Sequence, residues 1–392
     1  MPRSISSTTE FSKLPFYYGI QQSPYGDGAI PYYLPFALGV CDATGLIVQV
    51  PKDAVQDALS KAYETEGLFL TTPMDESPLT RWRGDEFLDV MLNTAGIEVK
   101  EKRVFEIGCS TGALLNELSK RGATVRGCEP GPSALTARSR YGLNVDQGYF
   151  IPGVYDREFD IVIHLTVLEH VVDSVEFLAQ TSALLNPGGW VFLGVPSCES
   201  QLRLGDPGMI LHEHYSYFDA GSLSRSLLKA GFTDVQCHST EKGVLYGWGR
   251  WAGADGAGWV STEKSDLGAA LEYLNKLNRT LARINEWVDH ARQEKLRVGL
   301  YGASVGAANL WAMLNWDNVD VNLFDGEPAK KGRYLPGCEL AIRPPEDLLV
   351  DTPDKLLILP ISFAPEISRF LRQELCLPEH VQIDTLAEML AD

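Results

Sequence analysis

No stretch of the 392-residue chain holds the roughly 18 consecutive apolar residues that a membrane-spanning helix needs. The opening MPRSISSTTEFSKLPFYYG lacks the apolar core of a secretory signal. Cysteine is scattered: Cys41, Cys109, Cys128, Cys198, Cys237, Cys338 and Cys376 form no CxxC pair and repeat no spacing, which excludes a disulfide framework and a recognisable zinc site. Basic residues are outnumbered, with 34 Lys and Arg against 52 Asp and Glu and a formal charge of -18. Nucleic-acid affinity draws on Lys and Arg, so no nucleic-acid partner is expected, and the charge reads as a solubility device. These deficits lead to the expectation of a cytoplasmic protein with reduced thiols, acting on a small molecule and using no membrane. The sequence does not set an oligomeric state.

What is present is an ordinary globular balance, 45% apolar and 22% charged, over a length that suits two or three domains. Residues 1–75 are rich in Pro, Gly and Tyr and read as a small irregular or β-rich module. Apolar residues at helical spacing over 84–97 lead into a charged turn. From Arg103, strand and helix patterns alternate: RVFEIG then ALLNELSKRG, TVRGCEP then SALTARSRYG, FDIVIHL then SVEFLAQTSALL, WVFLGVP then SLSRSLLKAG. Four such units predict an α/β domain over 76–258, a mainly parallel sheet with an antiparallel ending at TDVQCHST and GVLYGWGRW. Leu and Ile recurring every three or four residues predict a connecting helix within 259–296, and a second, smaller α/β domain follows over 297–392.

The densest chemical signal is Val104-Phe105-Glu106-Ile107-Gly108-Cys109-Ser110-Thr111-Gly112, where a short strand meets a glycine turn that opens a helix. Glycine is needed where backbone approaches a ligand closely. The loop reads E-x-G-x-x-x-G and not G-x-G-x-x-G, and its carboxylate would repel a pyrophosphate while welcoming a cationic sulfonium and its amino-acid tail. Glu129, followed by Pro130, lies at the end of the next strand, about 20 residues on, where an acid hydrogen-bonds both ribose hydroxyls. Tyr149 and Phe150 are placed to wall an adenine, and His164 and Thr166 lie across the strand mouth. A dinucleotide-binding fold with no methyl-transfer role is the competing reading.

This succession, with the Asn186-Pro187-Gly188-Gly189-Trp190 turn, resembles the class I methyltransferase family, whose fold is Rossmann-like. The resemblance implies S-adenosyl-L-methionine as cofactor and S-adenosyl-L-homocysteine as product. It implies Glu106, Gly108, Thr111, Gly112 and Glu129 as cofactor contacts, with Ser110, Pro130, Tyr149, Phe150, His164 and Thr166 beside them.

Methyl transfer needs a nucleophile held in line with the sulfonium methyl and, for most acceptors, a base. His170 lies just past the fourth strand, and His212-Glu213-His214-Tyr215-Ser216-Tyr217-Phe218 follows the fifth. Histidine works as a base near neutral pH, and a neighbouring carboxylate can orient it. A packing role for His170 and a plain polar loop for the HEH cluster are the alternatives. No third ligand at a recognised spacing and no HExxH accompany His212 and His214, so no metal is expected.

Three blocks resemble nucleotide-sugar C-methyltransferases, which alkylate a carbon beside the ketone of a deoxy-ketosugar: Glu213-His214-Tyr215-Ser216-Tyr217-Phe218; Leu168-Glu169-His170-Val171 with Asp173; and Tyr301-Gly302-Ala303-Ser304 with Asp325 to Gly337. The resemblance implies His214 as base, assisted by Glu213 and His170. Phe69, Thr71, Thr72, His212, Tyr215 and Tyr217 would line the acceptor site, while Tyr301, Ser304, Lys330 and Lys331 in the C-terminal domain would help hold a nucleotide. Lys330, Lys331 and Arg333 would meet phosphate, or form a solvated basic turn. The chain departs from the family where paired CxxC motifs build a zinc module: only Cys41 remains, and Thr44 stands for a second thiol. Leu211 and Phe69 replace two expected tyrosines, and Gly306 replaces a frequent lysine. Methylation of an oxygen or nitrogen of a specialised metabolite, or cofactor binding without catalysis, are the other functions weighed.

Overall fold

The computed structural model describes residues 4–16, 20–23, 32–65, 78–253 and 267–390. The N-terminal part contributes strands β1 (Ile5–Pro15), β2 (Tyr33–Cys41) and β3 (Leu46–Gln49). The middle contributes β4 (Arg103–Ile107), β5 (Thr124–Glu129), β6 (Val145–Gln147), β7 (Phe159–Leu165), β8 (Leu185–Pro196), β9 (Ser216–Tyr217), β10 (Phe232–Ser239) and β11 (Val244–Trp251). The last part contributes β12 (Arg297–Tyr301), β13 (Asp320–Phe324), β14 (Ile342–Arg343), β15 (Lys355–Ile358) and β16 (Gln382–Thr385).

The central sheet has the order β10-β11-β8-β7-β4-β5-β6. Strands β4 to β8 pair in parallel, and β11 and β10 close the sheet antiparallel. Ile161, Val162 and Ile163 of β7 are all essentially buried, the near-continuous apolar run of a strand covered on both faces. Val162 joins the core on one face, Ile161 and Ile163 that on the other. Strand order reverses between β4 and β7, so the crevice at their C-terminal ends is where an open sheet of this kind receives a ligand. The helix expected over 84–97 runs Pro78–Asp89 and ends in a wide turn, Val90–Thr94, that puts Val90 and Met91 in the core.

Two smaller sheets flank the central one. The N-terminal strands form an antiparallel sheet of order β1-β2-β3-β9, whose last member is borrowed from the HEH segment: Ile47 pairs with Tyr217 and Val48 with Ser216. The C-terminal sheet, β14-β13-β12-β15-β16, is parallel throughout. Helix Gly268–Gln293 serves both: Ala270, Tyr273, Leu274 and Leu277 enter the core beneath the N-terminal sheet, and Ile284, Trp287, Val288 and Ala291 that of the C-terminal sheet. Each large apolar side chain so buried contributes about 1.5–3 kcal/mol. The loop before the HEH segment is fixed from the C-terminal domain by buried Asn309, whose amide donates to the carbonyls of Pro207 (3.1 Å) and Ile210 (2.8 Å). Among the described residues no helix is long and apolar enough to cross a membrane.

Candidate active site

At the tip of β4 the chain turns through three residues of positive φ, Gly108 (71°), Ser110 (47°) and Gly112 (78°). The two glycines hold different neighbours apart. A Cβ on Gly108 would lie 2.7 Å from Cγ2 of Val167 in the loop after β7, whereas one on Gly112 would meet Leu143 and Ala137 at 2.7 and 2.9 Å. Gly112 thus lets helix Ala113–Lys120 sit against helix Ser133–Tyr141, a packing role where the sequence suggested a ligand contact. The Glu129 carboxylate accepts from the backbone N–H of Ser110 (2.9 Å) and of Gly131 (2.7 Å), tying the tip of β5 to the glycine loop. Glu106 is buried with Oε2 unpartnered, and burial, then the nearby Glu129 charge, pushes it up to about 8. An orphaned buried acid beside a second carboxylate suits a ligand carrying positive charge and a diol.

The other expected contacts divide. Thr111 is buried in the loop, and Thr166, at φ 54°, donates its hydroxyl to the Leu165 carbonyl. Pro130 is half-buried and Tyr149 exposed, while Phe150 stacks on Tyr155 and meets Phe177 edge-on. His164 is corrected. It shares the face of β7 that carries Val162, is wholly buried against Phe177, and has no partner on either nitrogen. It is a core residue and not part of the open mouth, and burial pushes it down to about 3.

The second cluster forms where the helical turn Leu168–His170 meets the HEH segment. Nδ1 of His170 lies 2.9 Å from the Glu213 carbonyl, which can only accept, so Nδ1 carries the proton. The His170 and His214 rings meet edge to face at 4.9 Å, and the backbone N–H of Tyr215 donates to the Glu169 carbonyl at 2.7 Å. Burial pushes His170 down to about 4, and burial together with the neighbouring His170 pushes His214 well below its usual value. Burial raises Glu213 to about 7.

His212, expected to touch substrate, does not join this cluster. A turn closed by His214 N–H on the Leu211 carbonyl (3.1 Å) sends it the other way, between Phe16 and Phe36, where Nε2 faces the Leu14 carbonyl at 3.3 Å. Tyr217 is likewise structural: its buried hydroxyl donates to the Leu211 carbonyl and accepts from the Leu211 N–H, pinning that turn. Tyr215 is buried in the small core with Phe16. Phe69, Thr71 and Thr72 lie outside the described residues. Glu169, given no role from sequence, stands inside the cluster with Nε2 of His170 3.7 Å from its Oε1. Glu169, His170 and His214 each offer a ligand-type atom within 4.8 Å of the others.

In the C-terminal domain a cavity of about 450 Å³ opens beside Tyr301, Gly302, Asp325 and Pro360. Asp325 accepts from the Ala303 N–H at 2.8 Å. Lys330 does not reach out as a phosphate ligand: its ammonium sits 3.0 Å from Asp325 and 3.2 Å from Glu327 and donates to the Ala303 carbonyl. Those carboxylates, three and five residues upstream, neutralise it. Ser304 caps helix Val305–Met313, and Lys331 is exposed.

The buried titratable groups make stability depend on pH. Glu106 and Glu169 are raised to about 8 and Glu213 to about 7, burial being the largest cause for each, and His164, His170 and His212 are lowered to about 3, 4 and 4. Below pH 6.5 the two sets oppose, because folded acids retain protons while folded histidines refuse them. Between pH 6.5 and 8 the unfolded histidines shed their remaining protons while the folded acids keep theirs to about 7 or 8, so on balance the folded chain binds more protons and stability falls as pH rises. A lower melting temperature at pH 8 than at pH 6.5 is expected by scanning fluorimetry; a flat or rising profile contradicts it.

Residues 79–237 match a family model described as a methyltransferase domain, and residues 263–375 one described as the C-methyltransferase C-terminal domain. The chain is 29% identical over 289 residues to the C-methyltransferase NovU of Streptomyces niveus, covering 67% of each. It is 29% identical over 150 residues to a ubiquinone biosynthesis O-methyltransferase of Thiobacillus denitrificans, 33% of this chain and 64% of that one. The matches thus span about two thirds of the length of either relative. Among solved structures, the N-methyltransferase NodS of Bradyrhizobium japonicum, in complex with S-adenosyl-L-homocysteine, aligns at 17% identity and TM-score 0.36 over 51% of this chain and 99% of its own.

Proposed function

The chain belongs to the S-adenosylmethionine-dependent methyltransferases, joining a methyltransferase domain to a C-methyltransferase C-terminal domain, and from that premise we propose that it C-methylates a nucleotide-linked ketosugar or a related small carbonyl compound. The observation that carries this reading is the pair of uncharged imidazoles, His170 and His214, packed edge to face beside Glu213 and joined to the loop that leaves β7. A carbon beside a ketone gives up its proton only to a positioned base, and a neutral imidazole is competent near pH 7.

The cofactor supplies a methyl group made electrophilic by its sulfonium. Glu106 would hold its cationic tail and Glu129 its ribose hydroxyls, with Phe150 and Tyr149 beside the adenine. His214 would take the α-proton, leaving an enolate as the nucleophile for the electrophilic methyl that the bound cofactor would supply, with S-adenosyl-L-homocysteine as the leaving group. Glu213 and the fixed His170 keep His214 in place.

The test is exchange. Each of a panel of nucleoside diphosphate 4-ketosugars is incubated with the enzyme in deuterium oxide without cofactor, and the α-carbon signal is followed by NMR. Wash-in at the α-carbon, followed by a 14-dalton mass gain on that carbon once S-adenosylmethionine is added, is the expected result. No exchange with any ketosugar, together with methyl transfer to a hydroxyl or amine, would overturn it. A second reading, O- or N-methylation of a specialised metabolite, is favoured by one observation: the neutralised Lys330 leaves the C-terminal cavity less suited to a diphosphate.

A further inference from the structure

Glu169 is 2% exposed and its Oε2 has no hydrogen-bond partner. Facing it are His170, His214, Glu213, Cys198 and Arg83. Burial is the largest influence against its charge and outweighs the hydrogen bond from its own backbone N–H; the Glu213 carboxyl adds to it, while Arg83 makes no ion pair with Glu169 and is itself exposed. The Glu213 carbonyl already holds the proton of Nδ1 on His170, so Nε2 presents a lone pair toward Glu169 Oε1, 3.7 Å away. Two acceptors facing each other need one proton between them, and separations of this kind tighten when a site closes on its ligands.

Resting on the reading of His214 as base, we propose that Glu169 is a positioning residue acting as an uncharged carboxylic acid: it donates its proton to Nε2 of His170. With Nδ1–H held by the Glu213 carbonyl, this leaves His170 a neutral ring hydrogen-bonded on both nitrogens and fixed in orientation. An uncharged His170 lets its neighbour His214 take a proton without facing an imidazolium 4.9 Å away. Buried apolar surroundings are known to hold a carboxyl group neutral at pH 7 for use as a donor.

The experiment uses the full chain and needs no acceptor for its first two arms. The infrared difference between wild type and Glu169→Gln at pH 7 should contain the carbonyl stretch of a protonated carboxylic acid. Nitrogen NMR of histidine-labelled protein should show the Nδ1-protonated neutral tautomer for His170 in wild type, Glu169→Gln and Glu169→Leu alike, with the Nε2 resonance displaced by an accepted hydrogen bond in the first two and not in Glu169→Leu. With the ketosugar that shows α-exchange, Glu169→Leu should lower kcat by about tenfold or more with KM for S-adenosylmethionine unchanged, and Glu169→Gln should recover most of the loss. A carboxylate-only difference spectrum overturns the proposal, as does a His170 Nε2 resonance unaffected by Glu169→Leu. Stoichiometric Zn²⁺ uptake abolished by Glu169→Gln also overturns it, by making Glu169 an anionic ligand. Failure of every ketosugar would count against the acceptor assignment alone, since the spectroscopic arms stand without it.

Discussion

Replacing His214 by alanine is expected to lower methyl transfer about 10²–10⁴-fold, the range contributed by a positioned general base, while S-adenosylmethionine affinity stays within about twofold of wild type. The separation follows from placement. His214 belongs to the segment drawn in by the N-terminal sheet through β9, whereas the acids at the strand tips, Glu106 and Glu129, stand on β4 and β5. The pairs Ile47 with Tyr217 and Val48 with Ser216 hold that segment independently of the side chain at 214. The fold should therefore tolerate the substitution, and equal losses of kcat and cofactor affinity would speak against a base at this position. A weaker control is available in His212→Asn. Because His212 packs between Phe16 and Phe36 and reaches the Leu14 carbonyl, that change should lower the melting temperature before it alters turnover.

How far the site could be read from sequence depended on the range over which each feature is determined. The glycine loop is local: a strand run ending in Glu106, positive φ at Gly108 and Gly112, and an acid at the next strand tip are all set within a few residues, and so the class I fold was visible. The difference between His212 and His214 is not local. Nothing in Leu211-His212-Glu213-His214 marks a turn by Gly or Pro, and the turn is closed by a backbone bond and pinned by the Tyr217 hydroxyl. Pairing of a two-residue strand with a sheet some 170 residues upstream gives no periodicity to detect. His164 could have been resolved by the period of two along β7, since Val162 already points to the core. Lys330 was legible as well. Asp325 and Glu327 stand in the same motif, and carboxylates so near in sequence answer its charge before any ligand arrives.

Glu129→Ala is expected to weaken S-adenosylmethionine binding by about 10²–10⁴-fold, measured by calorimetry. Hydrogen bonds to a charged acceptor are worth about 1.5–3 kcal/mol each, and about 1.4 kcal/mol corresponds to tenfold in affinity. Two ribose hydroxyls, if both are held by this carboxylate as proposed, account for a loss of that size. The same carboxylate accepts from the Ser110 and Gly131 N–H groups, so its removal also loosens the glycine loop that would face the cofactor. Glu129→Gln separates the two contributions, because its amide oxygen can still accept from one of those donors while the charge is gone; it should lie between alanine and wild type. A further consequence reaches Glu106. The Glu129 charge is the second cause, after burial, of the raised Glu106 value, so removing it lets Glu106 ionise at lower pH and should flatten the fall in melting temperature between pH 6.5 and 8. An unchanged dissociation constant in Glu129→Ala would mean that the strand tips do not hold the ribose, whatever becomes of the pH profile.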